Sequence, residues 1–209
     1  MARTHRPSRR GPRGRVPALA AVTVAAVLTS ALPAQSQAAA DPPEQLLTAL
    51  ALAAGERLRA ADDLAAATWL SAQPVVDPAR EQHVLDAMDE AAVRRDIDPL
   101  TVRRIFRDQI AAGTYVQRQL HAHWHHFPDE APTTAPELSE VHARVDAIDT
   151  RLLAAIGRAE ELLDEPECGR LRDRARATAI DALDLDPGHA RGLRRALAGV
   201  CAADAAPPR

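Results

Sequence analysis

The apolar residues of this chain recur every three or four positions, and no stretch alternates with period two over strand length. The pattern predicts an all-α protein. A first helix runs from Pro43 to Ala72, with a stripe of Leu47, Leu50, Ala54, Arg57, Ala61, Leu64 and Thr68, and Pro74 ends it. Asp77 before Pro78 sets a capping residue ahead of a proline at the first helical position, opening a second helix with Val84, Leu85, Met88 and Ala92 inward. Asp98 and Pro99 repeat the device for a third, whose inward face reads Val102, Ile105, Phe106, Gln109, Ile110, Gly113, Val116, Gln117, Leu120 and Trp124. Three prolines between Phe127 and Glu137 mark a connector. A fourth helix carries Leu138, Val141, Val145, Ile148, Leu152, Ala155, Ala159 and Leu162. Beyond "EPECG" two shorter helices follow, the last capped by Asp186 with Pro187. The expectation is one domain of about six helices without internal repeats.

The first forty residues do not fit this pattern. Six arginines and no acid precede an apolar run from Val16 to Leu32, and "PAQSQAAAD" places small residues at Ala38 and Ala40. This predicts a signal peptide over residues 1–40, cleaved near Asp41, and a secreted or periplasmic location. The run is short for a membrane span and holds Pro17, so no membrane partner is expected after cleavage.

Export changes the charge. Of 26 basic residues six leave with the leader, so 20 face 29 acids and the formal charge becomes −9. A surface that acidic is unsuited to nucleic acid, and any anion site must be local. Residues 41–209 suffice for one core, filled by Leu, Val, Ile and much Ala, because only five residues are aromatic. Cys168 and Cys201 are the only cysteines. An even count in an oxidising compartment reads as one disulfide, worth about 3–4 kcal/mol for such a loop and pinning the last two helices together.

Candidate chemistry lies in polar residues on apolar stripes. Arg57 and Gln117 occupy inward positions, His142 sits at a stripe's edge, and Arg80 lies in the first turn of its helix, where the dipole prefers acids. Two arginines and a carboxamide converging between helices suit a small molecule bearing carboxylates. Taken singly each has a plainer reading: Arg57 snorkelling or paired with Asp62 or another acid, Gln117 bonded to backbone. His121 and His125, four apart in "HAHWHH", have the spacing of a metal chelate but lack further ligands, so no metal is assigned.

The order and spacing of several motifs carry a resemblance. "ERL" on a long first helix, Trp69 twelve residues after its arginine, "DPARE" opening the second helix, "IDP" with "RRIFRDQIAAGTYVQRQLHAHW" as the third, and the Cys168/Cys201 pair resemble the exported all-helical chorismate mutases. The resemblance implies a three-helix core plus C-terminal helices, a homodimer, and rearrangement of chorismate to prephenate without a cofactor. It further implies that Arg57 and Arg80 each clamp a carboxylate, Asp77 and Glu81 receive the ring hydroxyl, and Gln117 donates its amide to the ether oxygen, where negative charge grows in the transition state.

Three positions depart from the family. Thr68 stands where relatives have a lysine that contacts the ether oxygen, and the chain has no lysine at all. Threonine keeps a hydroxyl donor without charge. Gly113 replaces a small hydroxyl residue, and His142 replaces an arginine; Arg144 lies about 200° around the helix from it, poorly placed to substitute. The expectation is an active, slow mutase. The alternative is a secreted pseudoenzyme that binds a small dicarboxylate or a protein partner without turnover.

Overall fold

The helix α1 (Pro43–Ser71) is surrounded by α3 (Pro99–His126), α4 (Leu138–Leu163), α5 (Cys168–Ala182) and α6 (Pro187–Ala196), while α2 (Pro78–Val93) lies on α3. This is the arrangement in the computed structural model, which describes residues 41–201. The expected signal peptide over residues 1–40 falls outside them. Six α-helices and no strand occur among the described residues, in the order read from the pattern. The connector is mostly irregular and holds one short 3-10 turn, Pro128–Glu130.

Where the pattern showed one stripe on α1, the helix is buried on several sides. Leu47, Leu50 and Leu58 are joined in the interior by Ala51, Ala53, Ala54, Ala60, Ala61, Ala65 and Ala67. Alanine lets neighbouring helices approach closely without breaking the helix. Gly55 goes further, since a Cβ there would lie 2.5 Å from Leu183 Cδ1.

The three Asp-Pro signals act as caps. Asp77 accepts from the Arg80 N–H at 3.0 Å, Asp98 from those of Leu100 and Thr101, and Asp186 from those of Gly188 and His189. The C-terminal helices are fastened three ways. Cys168 and Cys201 form a disulfide with Cα atoms 5.8 Å apart. The fully buried Gln109 donates to the Ala196 carbonyl at 2.7 Å. His189 of α6 meets Asp186 at 2.7 Å and Asp62 of α1 at 2.9 Å.

Candidate active site

α1, α2, α3 and α4 enclose a cavity of about 360 Å³. The segment joining α1 to α2, residues 73–77, forms part of its wall. This segment begins where Ala72 takes a left-handed conformation (φ 54°) and the Gln73 N–H returns to the Thr68 carbonyl, ending α1. Arg57, Thr68, Asp77, Arg80, Glu81, Gly113, Gln117 and His142 all line this one cavity. Eight residues chosen along 86 positions of sequence therefore converge in space.

Arg57 is fixed from two helices. Its Nε donates to Asp149 Oδ1 at 2.7 Å and its Nη1 to the Gln109 carbonyl at 3.0 Å. These bonds occupy two of its nitrogens and leave Nη2 without a described partner. Gly113 borders the group: a Cβ there would stand 3.4 Å from Arg57 Nη1, an ordinary contact. Arg57 is thus neither snorkelling nor paired with Asp62, which serves His189 instead. Its acid is Asp149 on α4, buried, with Oδ2 lacking any described hydrogen-bond partner. Burial holds the Asp149 carboxyl above the ordinary carboxylate range, against the pull of Arg57.

Arg80 lines the same cavity and is more exposed than Arg57. Its Nη2 donates to Asp146 Oδ1 at 2.5 Å, with both side chains partly in water. His142 lies one turn before Asp146 on α4. Burial, then the Arg80 charge, lower its pKa below the usual histidine value, with Asp146 and Asp77 opposing. Gln117 is buried against the cavity, and its carboxamide makes no hydrogen bond among the described residues.

Thr68 lines the cavity. Its Oγ1 lies 2.8 Å from the Leu64 carbonyl and 3.1 Å from that of Ala65, so without a ligand its proton is directed to its own helix. The imidazole of His121 approaches the same oxygen at 3.2 Å. His121 and His125 flank Trp69, with ring centroids 5.3 and 4.6 Å from it, and His121 Nε2 also meets the Ala65 carbonyl at 2.9 Å. A nitrogen committed to a carbonyl carries a proton and is not a free metal ligand. Arg144 pairs with Asp63 and stays out of the cavity wall.

Asp146, Asp149 and Thr114 escaped the sequence reading. Asp149 lies four residues after Val145 and three before Leu152, on the stripe already recognised, where a carboxylate is as anomalous as Arg57 on α1. Pairing those two anomalies would have found it.

The all-helical domain has a cavity that gathers two guanidinium groups, a carboxamide and the apolar side chains of Val84, Ile110 and Val145, a lining that suits a small anion with an apolar ring. Residues 44–118 match the family model of chorismate mutase type II. The chain is 34% identical over 183 residues to a secreted chorismate mutase of Mycolicibacterium smegmatis, covering 88% of this chain and 99% of that one. It is 34% identical over 157 residues to a secreted chorismate mutase of Mycobacterium tuberculosis, covering 75% and 79%. The crystal structure of chorismate mutase from Burkholderia thailandensis superposes with a TM-score of 0.71 at 31% identity, over 75% of this chain and 99% of that chain. The chain belongs to the chorismate mutase family. Its relatives give no support to the non-catalytic alternative. No helix among the described residues is long and apolar enough to cross a membrane.

Proposed function

We propose that this protein rearranges chorismate to prephenate outside the cytoplasm, after removal of residues 1–40, and does so as a homodimer. The observation that carries the reading is the convergence of Arg57, Arg80 and Gln117 from three helices on one cavity of about 360 Å³. Chorismate presents two carboxylates and an ether oxygen, and the reaction breaks that carbon–oxygen bond while forming a carbon–carbon bond in the same molecule. It requires no covalent or acid–base step, only a constrained substrate and donors aimed where charge develops.

Arg57 presents Nη2 to one carboxylate. Arg80 exchanges Asp146 for the other. Glu81 and Asp77 receive the ring hydroxyl, Asp77 with the oxygen not used in capping. Gln117 donates to the ether oxygen, and because a carboxamide does not titrate this contact holds at any ordinary pH. His142 adds charge near a carboxylate when protonated, and Gly113 borders the substrate beside Arg57. One well-aimed donor at a developing oxyanion is worth about 10²–10³ in rate.

The test is prephenate formation from chorismate by the mature protein, with Arg57→Ala as control. Turnover lost in Arg57→Ala is expected; binding of chorismate without prephenate in the wild type would establish the pseudoenzyme instead. Light scattering of the same preparation reads the dimer, and its N-terminal sequence after export reads cleavage at Asp41.

A further inference from the structure

α1 contributes four side chains to the cavity wall, and only Arg57 and Thr68 among them are polar; Ala61 and Leu64 are not. Thr68 is therefore the group through which the second half of this helix addresses a ligand. Its surroundings are specific. Oγ1 stands 2.8 Å from the Leu64 carbonyl and 3.2 Å from His121 Nε2, which stands 2.9 Å from the Ala65 carbonyl. A carbonyl only accepts, so Nε2 bears the proton and shares it between Ala65 O and Thr68 Oγ1.

A hydroxyl has one proton and two lone pairs. With a lone pair engaged by His121, Thr68 can turn its proton from the Leu64 carbonyl into the cavity while its oxygen stays anchored. The Leu64 carbonyl loses little, because it keeps its ordinary helical partner, the N–H four residues on. His121 itself is held in place: its ring packs on Trp69 at 5.3 Å and Trp124 at 5.6 Å between centroids. It also follows Gln117 by four residues, so α3 presents the carboxamide and the imidazole on one face.

We infer that His121 and Thr68 act as a relay: His121 donates Nε2–H to Thr68 Oγ1, and Thr68 donates its hydroxyl proton to the ether oxygen of chorismate as that bond breaks. No covalent bond to the protein forms and no proton leaves its parent atom. His121 is a positioning residue and Thr68 a catalytic one. The inference rests on the chorismate reading above and adds to it the partner that makes Thr68 useful in a chain without lysine.

The experiment measures kcat and KM for chorismate in the wild type, His121→Phe, His121→Gln, Thr68→Val and the Thr68→Val/His121→Phe double variant. Phenylalanine keeps a ring against the two indoles and removes the N–H; glutamine restores an N–H without a ring; valine keeps the threonine shape and removes the hydroxyl. His121→Phe is expected to lower kcat about tenfold, with KM within about twofold. His121→Gln should regain most of that loss, and the double variant should be no slower than Thr68→Val alone. Unchanged kcat in His121→Phe, losses that multiply in the double variant, or an effect confined to KM would each overturn the relay while leaving the mutase reading intact. A wild type that makes no prephenate removes both.

Discussion

The two guanidinium groups of the cavity are held in opposite ways. The Arg57 side chain is 10% exposed and that of its acid, Asp149, 1%, whereas Arg80 is 27% exposed and Asp146 54%. The charges and bond types are alike; the medium differs. Between buried partners each charge has lost its water and depends on the other, so neither can be left alone cheaply. Between exposed partners water and salt take over most of that work. The deep arm is thus a preformed fixture, and the open arm is a contact whose acid can be exchanged for the carboxylate of a ligand.

The deep arm gives the largest expected effect. Asp149→Ala strands a buried guanidinium and should cost about 3–5 kcal/mol of stability by urea unfolding at pH 7. Arg57→Ala should cost less, because the stranded carboxyl can take up a proton whereas a guanidinium cannot give one up. The pH response separates them. Asp149 already has a raised pKa in the fold, and loss of Arg57 raises it further. A group so shifted contributes stability fully present below its unfolded value and lost as pH rises through its folded one. Arg57→Ala should therefore recover toward wild type between pH 7 and pH 4, and Asp149→Ala should not. Equal losses and parallel pH curves would break the distinction between the arms.

The open arm predicts the reverse balance of binding and stability. Arg80→Ala should raise KM for chorismate about thirtyfold, the loss of a charge-assisted bond, yet leave unfolding free energy within about 0.5 kcal/mol. Raising salt should increase KM in the wild type and matter less in the variant. A stability loss comparable to that of Asp149→Ala would mean that Asp146 is as structural as Asp149.

His189 sharpens the comparison because it mixes the two cases. Its ring is buried, while Asp62 and Asp186 are 49% and 60% exposed. The bond to Asp62, then the one to Asp186, raise its pKa to about 9 against burial. The sign follows from the upward shift: the stabilisation is complete below about pH 6.5 and fades as pH climbs through about 9. Its size, discounted for the solvated acids, is about 1–2 kcal/mol. Unfolding curves at pH 6 and pH 9.5 should differ by that amount in the wild type and converge in His189→Gln.

These contrasts also show what the one-dimensional pattern could and could not reveal. Helix order, caps and the disulfide were legible because each rests on local spacing or on a count: Asp77-Pro78, Asp98-Pro99, Asp186-Pro187, two cysteines. The cavity residues were legible as anomalies on stripes and through kinship. The acids that complete them were not, since Asp149 and Asp146 become partners of Arg57 and Arg80 only when α4 closes on α1 and α2, 92 and 66 positions away. The Thr68 hydroxyl shows the same limit at closer range. Its identity was plain, but its direction is set by the Leu64 carbonyl and by a histidine 53 residues on.

The smallest expected effect concerns His142, and its direction is fixed by what surrounds it. A histidine ordinarily titrates near 6.5; in the fold burial and the Arg80 charge move His142 lower, with Asp146 and Asp77 resisting. The free protein at pH 7 therefore carries a neutral imidazole there, and Arg80 alone supplies charge at the open arm. A bound carboxylate favours the protonated ring, so substrate binding takes up a proton and affinity must rise as pH falls through the free-state pKa. Since that value lies below 6.5, the gain is absent above neutrality and begins only in mildly acidic solution. Its size is limited by water at the mouth of the cavity to about threefold in KM between pH 7 and pH 5.5. The substrate carboxylates stay ionised across that window, and the slope is assigned to His142. His142→Gln should flatten it. A KM that falls equally in that variant would transfer the proton to another group, and a flat wild-type profile would show that Arg80 meets the second carboxylate without help.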